Sequence, residues 1–566
     1  VSDEAVPAER TLYLNGSVYS GADPFATAMM VEGSTIAWLG SEEAAATLRS
    51  EADRVVDLAG AVITPGFVDS HAHITETGLA LVQLDLRSAR SASEVLEAVA
   101  RRASEAPGER IVGFGWDETT WDSPVLPTSE ELSRAASGAS VYLSRVDGHS
   151  GLASAALVAE LGLGEHPENS AGWLRGEARK MANLATAPVS SSERARAQRT
   201  ALERAASLGF VALVENGAPQ IQAVADVREL LELEGSLYEG GTPLPEVQAL
   251  WGEWVDSPEA AADIAARFEG RLLGLGGDLN ADGSLGSRTA HLREPYSDDP
   301  ATRGVAALDA DQIAAHIAAA STLGGLVGFH VIGDGGAENI LAALGTLRLQ
   351  DPKALMRAQV RLEHVELLRD SDIEALSGFP VHASMQPRFD GLWGGPDGLY
   401  ERRLGDRASS MNRFASLLRA GVPLVFGSDS PVTEMNGWRS VKDAAYHHNR
   451  QERISARAAF RSHTQVPWRF TALPGRTAAP YDGFEDLRTH ALMGQLAVGA
   501  PASFAIWDAE ELAIEVPDSR VSVWSTDPRA GTPMLPALDS SRLPVCLSTI
   551  HYGRTLYEDG SLGSSS

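Results

Sequence analysis

The stretch from Gly66 to Ile74, GFVDSHAHI, ends an apolar run in two histidines one residue apart. Successive side chains of a strand point to opposite faces, so His71 and His73 would share one face while Ala72 points away. Two imidazoles side by side can grip one cation. The alternative is a strand tip whose histidines hydrogen-bond to solvent. What the other strands end in decides between the two.

Similar runs recur along the chain: IVGFGWDE (111–118), SVYLSRVDGH (140–149), FVALVENG (210–217), RLLGLGGDLNADG (271–283), GLVGFHVIGD (325–334), VRLEHVEL (360–367), PVHASMQP (380–387) and VPLVFGSDS (422–430). Between them lie helical patterns rich in Ala and Leu, such as SEVLEAVARRASEA (93–106), SSERARAQRTALERAASLG (191–209) and DQIAAHIAAASTLGG (311–325). That alternation predicts a parallel α/β fold. Nine runs are one more than a (β/α)8 barrel needs, and IVGFGWDE reads as an inserted element. A barrel gathers the C-terminal ends of its strands on one face, where His71, His73, Glu215, His330, His364 and Asp429 would converge. Long segments read as loops over that face: 116–131, 239–254, 388–406 and 471–486.

Both ends of the chain have another texture. TLYLNGSVYSG, AMMVEGSTIAWLG and RVVDLAGAVITPG near the start, and ASFAIWD, SRVSVWSTDP and VCLSTIHYGRTLYEDG near the end, read as short strands punctuated by Gly, Asn and Ser. The expected organisation is a small composite β-sandwich from residues 1–63 and 485–566, flanking a distorted TIM (β/α)8 barrel of residues 64–484.

Bulk properties narrow the function. The 566 residues carry a net charge of −29, which repels nucleic acid and anionic lipid, and no apolar run reaches the roughly 18–20 residues of a membrane span. A single cysteine, Cys546, forms no internal disulfide, and the polar start lacks the layout of a signal peptide, so cytoplasm is the expected location. The oligomeric state is open, a homodimer being compatible with the sequence. Only three lysines occur, Lys180, Lys353 and Lys442.

GFVDSHAH, ADGSLGSRTA (281–290), FHVIGDGG (329–336), RLEHVELL (361–368), SMQP (384–387) and GSDSPVT (427–433) stand in the order found in the amidohydrolase superfamily. The chain resembles its YtcJ-like metal-dependent members, the group that includes N-substituted formamide deformylases. The segment GQLAVGAPASFAIWD (494–508) matches their return into the small domain. The resemblance implies a divalent metal, zinc first among candidates and one or two per chain, held by His71, His73, His330, His364 and Asp429. It implies metal-activated water attacking a small amide-type substrate, with Asp429 as general base then acid and His364 as a second catalytic group. Imidazole and carboxylate suit such an ion, and a site with an open position lowers the pKa of bound water towards about 7. Taken alone, Asp429 in SDSP could equally be a helix N-cap.

One departure stands out. Many relatives place a lysine, carboxylated to bridge two metals, where this chain has Asp278 in GGDLNADGS. Glu215, counted onto the third barrel strand, is the expected replacement carboxylate, with Asp278 the weaker candidate. His149, Asp282, Arg288, Trp116 and Trp393 are candidate substrate contacts, with Trp121 and Trp438 also in presumed face loops; Asp282 and Arg288 could instead form an ion pair that fixes their loop. Ester, carbamate or ring C–N hydrolysis on the same site, or a non-catalytic metal-binding relative, are the alternatives.

Overall fold

A computed structural model describes residues 8–186, 190–236, 243–471, 491–515, 524–525 and 533–565. At its centre are eight parallel strands in one sheet: Phe67–Ala72, Phe210–Gly217, Glu246–Trp251, Gly274–Leu275, Leu326–Val331, Gln359–His364, Val381–Met385 and Leu424–Phe426. Every neighbouring pair is parallel and sequential. The eighth strand returns to the first through a parallel bridge between Ala72 and Ser430, so the sheet is a nearly closed barrel.

The helical patterns form where their spacing places them. Ala92–Glu105 buries Val95, Ala98, Val99 and Ala103, a stripe three and four residues apart, and the Ser91 side chain accepts from the Glu94 N–H at its start. Ser191–Ala206 opens on a capping box in which Ser190 and Glu193 each accept the other's backbone N–H. It then leads through Gly209 into the second barrel strand.

Two sequence expectations fail here. SVYLSRVDGH is not a barrel strand: Val141–Arg145 pairs with Ile111–Trp116 in a separate six-stranded sheet, together with Leu84–Asp85, Ser150–Ala153, Asn169–Ser170 and Trp173–Arg175. The inserted unit therefore contains both runs and interrupts the chain between the first and second barrel strands. The third barrel strand is Glu246–Trp251, inside a segment that reads as a face loop because TPLP precedes its six residues and Gly252 ends them. Glu215 consequently belongs to the second barrel strand, not the third. The expected loop 471–486 lies outside the described residues apart from Thr471.

Two further five-stranded sheets draw on both ends of the chain. One joins Arg10–Leu14, Ala28–Glu32, Thr35–Gly40 and Arg54–Asp57 with Gly563–Ser565. The other joins Ser17–Val18 and Val62–Pro65 with Phe504–Asp508, Val545–His551 and Arg554–Glu558. One apolar cluster, including Tyr13, Met29, Ile36, Ile63, Phe504 and Ile550, takes side chains from both sheets. Of the expected strand SRVSVWSTDP, only Trp524 and Ser525 are described. No helix among the described residues is long and apolar enough to cross a membrane.

Candidate metal centre

The first strand carries its ligands to the barrel mouth, and the eighth is clasped against it. Asp69 is fully buried, and its carboxylate accepts from the Ser428 N–H (2.8 Å), the Ser428 hydroxyl (2.6 Å) and the His71 N–H (3.2 Å). The Asp429 N–H donates to the His71 carbonyl at 2.7 Å, and the His73 N–H to the Ser430 carbonyl at 2.8 Å. The Asp429 side chain is thereby delivered to both histidines: its Oδ1 lies 3.4 Å from His71 Nε2 and 3.2 Å from His73 Nε2.

Asp278, three residues beyond the short fourth strand, closes the same group. Its Oδ1 lies 3.6 Å from His71 Nε2 and 3.8 Å from His364 Nε2, and its Oδ2 lies 3.2 Å from His73 Nε2. Two overlapping sets result, His71 with Asp278 and His364, and His71 with His73 and Asp429. Ligands held at about 2.0–2.1 Å by a tetrahedral ion stand roughly 3.3 Å apart, close to these separations. His71 Nε2 and Asp278 Oδ1 are buried with no hydrogen-bond partner. A divalent cation is the group that would satisfy both orphaned atoms, so the donor set fits one.

The electrostatics reflect this crowding. Burial opposes ionisation of Asp278 and Asp429, yet the facing imidazoles outweigh it and hold both carboxyls well below the usual range. Burial likewise opposes the charged imidazole of His71, but Asp429 and Asp278 push it up to about 10, and the same carboxylates raise His73. His330 moves the other way, lowered by burial and by the charge of His364.

Outer partners set the direction of each ring. His71 Nδ1 lies 2.8 Å from Glu363 Oε2, and Glu363 is itself paired with the buried guanidinium of Arg361. A carboxylate at Nδ1 fixes the proton there and leaves Nε2 free to ligate. His364 Nδ1 meets Gln386 Oε1 at 2.9 Å, which orients its Nε2 in the same way. Arg361 and Glu363 alternate inwards along the sixth strand, while His364, at φ +69°, leaves extended geometry, so that consecutive residues both serve the centre. Asp429 also has a left-handed backbone, at φ +55°. Such conformations cost of order 1–3 kcal/mol each and cluster at functional sites.

The expected site residues divide sharply. His71, His73, His364 and Asp429 come together. Glu215 does not join them: one carboxylate oxygen accepts from the Ile74 N–H at 2.6 Å and the other from Gln222, and the carboxylate that stands with the histidines beside Asp429 is that of Asp278. His330 belongs to neither set; its ring packs 4.5 Å from that of His364, with Nδ1 unpartnered.

Asp282 does not face substrate, because its oxygens accept from the N–H groups of Ile332, Gly333 and His291. Nor does it pair with Arg288, which binds Asp298 at 2.8 Å in a different cavity. Trp116 is fully buried in the inserted unit, with Nε1 donating to the Leu143 carbonyl, and Trp438 packs on Phe67 and Phe460 in the barrel core. Trp121 also lines that other cavity. Trp393 and His149 do reach the centre. Trp393 lines a small recess with Phe389, Tyr400, His364 and Asp429, and the His149 ring lies 5.6 Å from that of His330. Sequence reasoning missed Glu363, Gln386 and Asp69, although each lies within a quoted motif, RLEHVELL, SMQP and GFVDSHAH.

A larger cavity of about 160 Å³ opens from the metal group under the inserted unit, lined by His73, Asp278 and His330 on the barrel side and by Phe114, Tyr142 and Arg179 on the other.

Residues 54–557 match the amidohydrolase family. Over 408 residues the chain is 28% identical to the amidohydrolase YtcJ of Bacillus subtilis (strain 168), spanning 69% of this chain and 74% of that protein. It is also 25% identical over 465 residues to the protein LONG AFTER FAR-RED 3 of Arabidopsis thaliana, spanning 76% and 77% of the two chains. The crystal structure of a metal-dependent hydrolase from Pyrococcus horikoshii OT3 superposes with a TM-score of 0.66 at 24% identity, covering 89% of this chain and 98% of that one, and shows the same fold. With a family match over most of its length and a His/Asp cluster at the mouth of its barrel, this chain belongs to the amidohydrolase family.

Proposed function

We propose that the protein hydrolyses an amide-type C–N bond, other than a peptide bond, in a small molecule. The observation that carries this reading is the buried Asp429 carboxylate, 3.2–3.4 Å from two imidazoles and open to the recess lined by Trp393. His71, His73, His364, Asp278 and Asp429 would hold zinc, one ion or two. When bound, the metal supplies Lewis acidity and a lowered pKa for water. Asp429 accepts the proton of the attacking water and returns it to the departing nitrogen, a base that becomes an acid within one turnover. His330, on the cavity wall and outside both ligand sets, faces the carbonyl oxygen as its charge develops. Glu363 and Gln386 keep the rings of His71 and His364 in register, and the inserted unit shields the cavity from bulk water. The two terminal sheets are read as a composite β-sandwich, on the strength of their shared cluster.

The test is metal analysis of protein purified without chelator, joined to a turnover screen with N-acyl and N-formyl amines. One or two equivalents of zinc with amide turnover is the expected result. Absence of metal, or hydrolysis confined to esters, overturns the reading.

A further inference from the structure

The inserted unit places a guanidinium inside the cavity without giving it a counter-ion. Arg179 stands on the helix Gly176–Thr186 and lines the same cavity as His73, Asp278 and His330, and its Nε is buried with no hydrogen-bond partner. No ion pair to Arg179 occurs among the described residues. The contrast with Arg145 in the neighbouring recess is sharp: Asp117, Glu118 and Asp147 all bind that guanidinium within 2.9 Å. Tyr142 Oη is buried on the cavity wall beside Arg179, its neighbour in charge and hydrogen bonding, and the Asn183 side chain lines the wall one helical turn on. Glu76 reaches the cavity too, without closing an ion pair.

Unpaired buried donors are costly, and a cation with a phenol and an amide around it matches the acceptor geometry of a carboxylate. We propose that Arg179, with Tyr142, binds a carboxylate on the substrate, so that the molecule hydrolysed is an amide bearing an anionic group. This rests on the amidase reading above and names the substrate class for that site.

The test compares N-acetylglycine with N-acetylmethylamine on zinc-loaded enzyme, in the native protein and in Arg179→Gln, Arg179→Lys and Tyr142→Phe. The native protein is expected to favour N-acetylglycine at least tenfold in kcat/KM. Arg179→Gln should lower that value about 10- to 100-fold, mainly through KM, and erase the preference for N-acetylglycine over the neutral amide. Arg179→Lys should restore part of the loss. Tyr142→Phe should weaken the carboxylate substrate alone, and it serves if Arg179→Gln does not fold.

Binding of 4-oxopentanoate, in which CH2 stands for the amide N–H, is measured by calorimetry on the same proteins. Binding that needs Arg179, with no turnover of either amide, keeps the anion site and removes the amidase reading. Equal turnover of both amides, with 4-oxopentanoate binding indifferent to Arg179 and Tyr142, overturns the anion site and leaves the amidase reading standing.

Discussion

Asp429 and His71 are joined twice: the backbone N–H of Asp429 donates to the His71 carbonyl at 2.7 Å, and the Asp429 Oδ1 stands 3.4 Å from His71 Nε2. The first contact belongs to the barrel's closure and the second to its chemistry. Because the backbone contact survives substitution, Asp429→Asn keeps the side chain in place while removing its capacity to carry a proton. Bound metal should be largely retained and turnover should fall by about 10²–10⁴-fold. Metal equivalents and kcat, measured on the same preparation, check this; full activity in the variant would exclude Asp429 as proton carrier.

Asp278 and Glu215 can be separated by metal content alone. Asp278→Ala removes a carboxylate lying between His71, His73 and His364, and should reduce the zinc per chain by at least half. Glu215→Gln should leave it unchanged, since both Glu215 oxygens are already taken by Ile74 and Gln222. The reverse pattern would return the ligand role to Glu215.

Glu363→Gln exchanges the charged acceptor at His71 Nδ1 for a weaker amide oxygen and leaves Arg361 as an uncompensated buried charge. Metal affinity should weaken about 10- to 100-fold, and the fold should lose about 3–5 kcal/mol. Chelator competition reads the first effect and thermal unfolding the second.

Acid stability should be limited by histidines remote from the metal group. His463 is fully buried, with Nδ1 3.0 Å from the Val68 carbonyl and Nε2 2.9 Å from the Ser440 hydroxyl, and burial pushes its pKa down to about 4. A pKa depressed on folding means the neutral ring is favoured in the native state. That stabilisation is present above the unfolded value near 6.5 and is lost as pH falls from there through about 4. At about 1.36 kcal/mol per unit, the loss approaches about 3 kcal/mol at the acid end. Denaturant unfolding from pH 7 to 4 should show this decline, and His463→Gln should flatten it; an unchanged slope in the variant would place the acid-labile group elsewhere.

Much of the barrel was legible because its strands are short, apolar and end in chemistry. GFVDSHAHI, GLVGFHVIGD, VRLEHVEL and VPLVFGSDS each announce a strand and the histidine or aspartate at its end locally. Strand partnership is not local. SVYLSRVDGH looks as good a barrel strand as FVALVENG, and only its hydrogen bonding to Ile111–Trp116 removes it. Glu246–Trp251 was hidden by the turn residues around it, and counting SVYLSRVDGH as the second barrel strand moved Glu215 onto the third. The supporting groups were obscured for another reason. Arg361 and Glu363 read as ordinary charged residues of a strand, and only the barrel's interior shows that they are buried and aimed at His71. Asp278 was weighed and set below Glu215 because sequence does not reveal which carboxylate oxygens the backbone has already claimed.

The clasp between Asp69 and Ser428 joins positions 359 residues apart, and it lies beside the metal group. During synthesis His71 and His73 emerge early, yet they wait for almost the whole barrel before Asp429 arrives. A chain cut short before residue 428 lacks both the clasp and Asp429, so the strand that closes the barrel is also the one that completes the cluster.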